Sequence, residues 1–193
     1  DVNTSFLFNI GAGAGAMIVK RDWPVNRVLG NHVIADGTMS RHVVVPASGT
    51  VRHPTDEAVA DGGFKFRLVE PEAMKKRLGE VSIANWLKCV DVALAKSGCK
   101  RDGTPYGRGD IDFFNMSLVK PSAHREMLGH LGLTEEQSVY LSSIGHIGEQ
   151  DAIINIEAGI ETGRLKPGDT MAVIAAGVGY VWAGAIVQWG EAK

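Results

Sequence analysis

The sequence predicts an α/β protein, on three observations. Ile153, Ile156 and Ile160 recur at intervals of three and four residues, which is helical spacing. Two short runs rich in Val, Ile and Ala, residues 170–176 and 183–189, follow that helix and suit strands buried on both faces. Residues 71–97 form the longest helical pattern, with Met74, Leu78 and Val81 marking one face and Leu87, Val90 and Leu94 another.

Residues 5–19 read SFLFNIGAGAGAMIV, a Gly-Ala block with apolar residues on both sides. Small residues there imply close strand packing. A dinucleotide loop fits poorly, because Gly11, Gly13 and Gly15 lack the two-residue gap of that fingerprint and no amphipathic helix follows. Residues 28–45 are rich in β-branched side chains and predict strands broken by a turn at Asp36-Gly37. Residues 47–63 carry Pro, Gly, Ser and Thr without a period and predict a loop.

The helix over 71–97 starts with Pro71, which suits a first turn, and Glu70 and Glu72 complement the dipole there. Gly79 marks a kink or break. A polar turn at 100–110 leads into a short strand, IDFFNM, over 111–116. Residues 117–131 read as a helix with Pro121 near its start and Gly132 as its C-cap. Residues 139–142 then read as a strand. After the helix that carries Ile153, Gly163 supplies a C-cap and Pro167 prevents continuation. Gly177-Val178-Gly179-Tyr180 turns the chain between the last two strands, with bare backbone that a ligand can approach.

Composition excludes several classes. The 193 residues are 45% hydrophobic and 22% charged, an ordinary globular balance with room for one or two domains. A formal net charge of −2 gives no bulk attraction for nucleic acid. Cys89 and Cys99 form neither a disulfide framework nor a zinc spacing, which fits a reducing, cytoplasmic setting. No apolar run reaches the roughly 18 residues of a membrane span. The start, Asp1-Val2-Asn3, has no Met and no signal pattern, and the chain opens almost at once into apolar sequence, as a piece of something larger does.

Among reactive side chains, Cys89 lies in a helical pattern among Leu and Val and reads as a core residue. Cys99 has basic neighbours, Lys100 and Arg101, but no orienting base. His124 and His130 are six apart on one helix and do not share a face, so no metal site is expected. His146 sits on a Gly-flanked loop and Asp151 follows five residues later, at the start of the next helix.

Two of these segments carry a specific resemblance. Gly163-Arg164-Leu165-Lys166-Pro167-Gly168-Asp169 and Gly177-Val178-Gly179-Tyr180-Val181-Trp182 resemble, at the correct separation, the GRIKPGD and GGGFTWG motifs of β-ketoacyl-acyl-carrier-protein synthase III, in the thiolase-like superfamily. Residues 13–19 resemble that family's FGDGAGAVVL strand, with Ala12 in place of an Asp. Residues 32–37 and 43–46 resemble its HADG and following Pro segment. The resemblance covers nearly the whole chain. It implies a thiolase-like, layered α/β/α/β/α architecture, this chain being the second repeat plus the last strands of the first. The implied division is 1–50, the end of the N-terminal repeat and crossover strands, and 51–193, the C-terminal repeat.

The resemblance implies an acyltransferase or condensing enzyme acting on acyl-CoA or acyl-carrier-protein thioesters, with no further cofactor. The nucleophilic Cys belongs to an N-terminal half that would be a partner of this chain, and the complete unit would be a homodimer without nucleic-acid or membrane partners. Thioester chemistry needs a thiolate, donors for the oxyanion and a base or donors for the incoming nucleophile. The family supplies a His and an Asn from this half. Here the His position falls at Ser117, with Asn115 as the neighbouring choice of register, and the Asn position falls at His146. Gly179, with Gly177, corresponds to the backbone donor turn. Lys120 and Arg125 are the candidate contacts to a carrier or coenzyme A phosphate. Two other readings are a non-catalytic partner subunit of a synthase III-like heteromer, and a Ser/His hydrolase built on Ser117, His146 and Asp151.

Overall fold

The computed structural model describes residues 9–191. Its centre is a four-stranded sheet in the order β1-β6-β5-β4, formed by Arg27–Ala35, Val181–Gln188, Thr170–Gly177 and Phe113–Met116. The tight turn after Gly177 makes β5 and β6 antiparallel, with Gly177 opposite Val181. Between β4 and β5 the chain passes through two helices, α3 (Pro121–Leu131) and α4 (Asp151–Glu161), so those strands run parallel. β1 pairs antiparallel with β6 over almost its full length, so a strand from the first 50 residues closes one edge of the sheet.

Strand alternation sorts the core onto two faces. Phe114, Met116, Ala172, Ile174, Trp182 and Ile186 meet Trp86, Cys89, Val90 and Leu94 of the long helix α2 (Pro71–Lys96) and Met127 and Leu128 of α3. Phe113 and Met171 point the other way, toward Leu165 and Ile156 of the α4 side. The sheet is thus covered by helices on both faces, as the α/β prediction requires. Two glycines let α2 lie close to its strands. A Cβ on Gly30 would strike the Ala93 carbonyl, and one on Gly184 would lie 3.0 Å from Cys89. Cys89 and Ala93 are one turn apart, small, and fully buried. Cys89 is therefore a packing residue, and burial pushes its thiol up from the ordinary range.

Several local expectations need correction. Residues 9–20 of the Gly-Ala segment are not a strand; their one ladder contact is a bridge from Ile10 to His146. A strand needs a continuous neighbour, and none is offered to them among the described residues. The start of that expected strand, residues 5–8, lies outside the described residues. Residues 47–63 are not all loop, since Thr55 caps a short helix, α1 (Asp56–Ala60), by accepting from the Ala58 amide. A two-residue ladder, Val43–Val44 with Arg67–Leu68, gives β2 and β3. Gly79 does not break α2, which is continuous to Lys96. Residues 117–120 precede α3 rather than forming part of it, because Pro121 takes its first turn. Residues 139–142 are not a strand; Ser138 alone bridges to Phe114. β6 is not buried on both faces but alternates buried and half-buried positions. Gly132 does adopt the left-handed C-cap conformation, with φ of 74°.

The motif around Gly163 acts as a tether. Arg164 donates from Nη1 to the Ser138 carbonyl at 2.5 Å and to that of Glu135 at 3.0 Å. Asp169 accepts from the Lys166 amide at 2.8 Å, closing the turn that starts β5. Among the described residues, no helix is long and apolar enough to cross a membrane.

Candidate active site

The parallel strands β4 and β5 end side by side, where open α/β sheets bind ligands. Ser117 leaves β4 at this end, its amide donating to the Ile174 carbonyl of β5 at 3.1 Å. Gly177 ends β5 on the same side. The N-terminus of α4 arrives through Asp151, and the Gly-flanked loop before it carries His146.

Asp151 organises the site. Its side chain is fully buried and accepts three hydrogen bonds. Oδ1 accepts from the Ile147 amide at 2.9 Å. Oδ2 accepts from the Leu118 amide at 2.7 Å and is 2.6 Å from His146 Nδ1. A carboxylate only accepts, so Nδ1 carries a proton, and in the neutral ring His146 Nε2 bears the lone pair. The His146 side chain keeps 36% of its exposure, so that lone pair can meet a substrate. One carboxylate thereby fixes the imidazole, the loop behind it and the loop after Ser117. Asp151 is at once the first residue of α4 and the orienting partner of His146.

The His146 backbone is also held. Its amide donates to the Asn9 carbonyl at 2.6 Å, and its carbonyl accepts from the Gly11 amide at 2.9 Å. A Cβ on Gly13 would come within 2.8 Å of Ile147, so the Gly-Ala segment lies closely over this loop. Glu149, three residues beyond His146, is pushed above the ordinary carboxylate range by partial burial.

The other candidate residues divide. Asn115 is fully buried under α4, where Nδ2 donates to the Ala152 carbonyl at 2.9 Å. Ser117 is buried, and neither its Oγ nor Asn115 Oδ1 has a hydrogen-bond partner among the described residues. No hydrogen bond joins Ser117 to His146, so the Ser117-His146-Asp151 triad is not assembled, although its His–Asp pair is. Gly179 lies in the turn with φ of 136°, and its amide has no acceptor among the described residues. Lys120 and Arg125 are exposed at the start of α3.

His124, also on α3, is buried and separate from His146. Ser138 Oγ gives its one proton to the Phe114 carbonyl at 2.8 Å, so His124 Nε2, 3.0 Å away, is the donor between them. Burial lowers the His124 pKa. A cavity of about 140 Å³ lies beside it, lined by Arg125, Tyr140 and Arg164 among others. Among the described residues there is no cluster of three or more His, Cys, Asp or Glu able to hold a metal.

Residues 103–189 match the family described as 3-oxoacyl-acyl-carrier-protein (ACP) synthase III C terminal. A β-ketoacyl-acyl-carrier-protein synthase III from Syntrophomonas wolfei is 26% identical over 99% of this chain and 54% of its own length. The protein of that name from Sulfurovum sp. is 30% identical over 98% of this chain and 52% of its own. The chain therefore spans about half the length of the curated relatives it matches. Among solved structures, synthase III from Thermus thermophilus superposes with a TM-score of 0.63 at 19% identity, over 91% of this chain and 49% of the other. OleA from Xanthomonas campestris gives 0.61 at 17%, over 86% and 40%. The thiolase-like fold and the likeness to the C-terminal half of synthase III, expected from the motifs, are thus borne out.

Proposed function

We propose, from the premise that this chain is synthase III-like along its length, that it supplies the base side of an acyl-thioester transferase or condensing site. The observation that carries this reading is the 2.6 Å contact between His146 Nδ1 and the buried Asp151 carboxylate. A Cys in a separate N-terminal half attacks the thioester carbonyl of an acyl-CoA or acyl-carrier-protein and expels the carrier thiol. His146 Nε2 then takes the proton of the incoming nucleophile, which attacks the acyl-Cys carbonyl. The Gly179 amide donates to the oxyanion, and collapse returns the Cys thiolate. Ser117 and Asn115 line the nucleophile side, and Lys120 and Arg125 meet the phosphates of the carrier.

The proposed assembly is a cytoplasmic homodimer of complete units, with residues 1–50 continuing the N-terminal repeat and 51–193 forming the C-terminal one. The test is acyl transfer from a labelled acyl-CoA by the protein together with its Cys-bearing half. His146→Ala is expected to lower the transfer rate by about 10²–10⁴ while leaving acylation of the Cys measurable. Equal transfer rates for the two proteins would remove His146 from the mechanism.

A further inference from the structure

The turn that carries Gly179 is fastened on its exit side to two distant elements. Tyr180 exchanges both backbone hydrogen bonds with Asp36, at 2.8 and 2.9 Å, so the β1–β6 ladder runs on past Ala35 to the last residue of the turn. The Asp36 side chain is itself held. Oδ1 accepts from the Thr38 amide at 3.0 Å and from the Thr38 hydroxyl, and Oδ2 accepts from Arg77 Nη2 of α2 at 3.1 Å. Those bonds, Thr38 first and Arg77 after it, hold the Asp36 carboxyl below its ordinary range. One turn before Arg77 on the same face of α2, Met74 Sδ lies 3.0 Å from the Tyr180 hydroxyl, which donates to it. Gly179, one residue away, has no such fastening and a left-handed backbone that leaves its amide free to face a ligand.

We infer that Arg77, Asp36 and Met74 are positioning residues that act through Tyr180 to aim the Gly179 amide. This rests on the reading of Gly179 as an oxyanion donor. An oxyanion donor is effective only when held in place before charge develops, and a misplacement of an ångström is costly. Both tethers involve α2, the longest helix among the described residues. They leave the turn tip, Val178, exposed.

Two measurements test the proposal on Arg77→Ala and Tyr180→Phe, with Arg77→Lys as the conservative control. In the full chain labelled with ¹⁵N-glycine, the Gly177 and Gly179 amide signals should shift and exchange faster with solvent, while those of Gly132 and Gly163 stay in place. In acyl transfer by the protein with its Cys-bearing half, kcat should fall about tenfold with KM little changed, and Arg77→Lys should recover much of the loss. An unmoved Gly179 signal in both variants of an active protein refutes the tether. A Gly179 shift in a protein whose unaltered form transfers no acyl group refutes the oxyanion reading, and the positioning role with it.

Discussion

Replacing Asp151 with Asn changes one atom and tests the organising role of this carboxylate. The carboxylate satisfies three donors through two oxygens. An Asn offers one acceptor oxygen and one donor group. Placed at the Oδ2 position, the oxygen keeps His146 and Leu118 but turns an NH₂ toward the Ile147 amide, 2.9 Å from the Oδ1 it replaces. Placed at Oδ1, it keeps Ile147 and opposes two donors. Either way at least one buried donor is orphaned, at about 1–3 kcal/mol, and the remaining bonds lose their charge assistance. A total of about 2–4 kcal/mol follows, or a fall in Tm of roughly 5–15 °C for a chain of this size. Asp151→Ala, which removes every acceptor, should fall further. Thermal unfolding of the chain by circular dichroism measures this. Acyl transfer with the Cys-bearing half should drop by about 10²–10⁴, because the imidazolium formed in the step loses its counter-charge. A Tm within about 1 °C of the unaltered protein, together with an unchanged transfer rate, would refute the assignment of Asp151 as the common anchor.

Three further outcomes are expected. Gly30→Ala pushes a methyl into the Ala93 carbonyl and should cost about 1–3 kcal/mol, read as a lower Tm with the fold retained. His124 is buried with a lowered pKa, so the unfolded chain binds its proton more readily than the folded one. Its stabilising share is complete above the ordinary value near 6.5 and is lost as pH falls below it, at up to about 1.4 kcal/mol per pH unit. His124→Gln, which keeps a donor for Ser138, should flatten the drop in Tm between pH 6.5 and 5, and an identical pH profile would contradict this. Lys120→Glu combined with Arg125→Glu should raise KM for a phosphate-bearing acyl carrier at low salt with kcat preserved, an effect that added salt diminishes.

Much of the fold was legible because its signals are local. Helical spacing placed α2 and α4, Pro71 and Gly132 marked helix ends, and the β-branched runs gave β1, β5 and β6. Two of the misreadings share a cause. Residues 9–20 and 139–142 have strand-like composition, but a strand is completed by a neighbour, and composition does not say whether one is present. The 163–169 segment, one of the two that carry the likeness to synthase III, is held by structure. Arg164 ties α4 to the 135–138 loop, and Asp169 closes the turn into β5, so both are fixed by packing whatever chemistry the site performs.

The end of the sheet that carries the candidate site was harder to read, because its residues depart together from the synthase III pattern that the sequence resembles. Taken singly, Ser117 in a His position and His146 in an Asn position look like two losses. Asp151 changes that judgement, since it is wholly buried and spends both oxygens on the loops that follow those positions. A buried carboxylate is costly unless paired. A helix terminus alone would have been served by an exposed acid, with no need to sink the group to 0% exposure against His146. On the proposed reading, the imidazole and the carboxylate together stand in for the His and Asn of synthase III. The proposed base then lies on the loop before α4 rather than the loop after β4, and the buried Ser117 Oγ has no hydrogen-bond partner among the described residues.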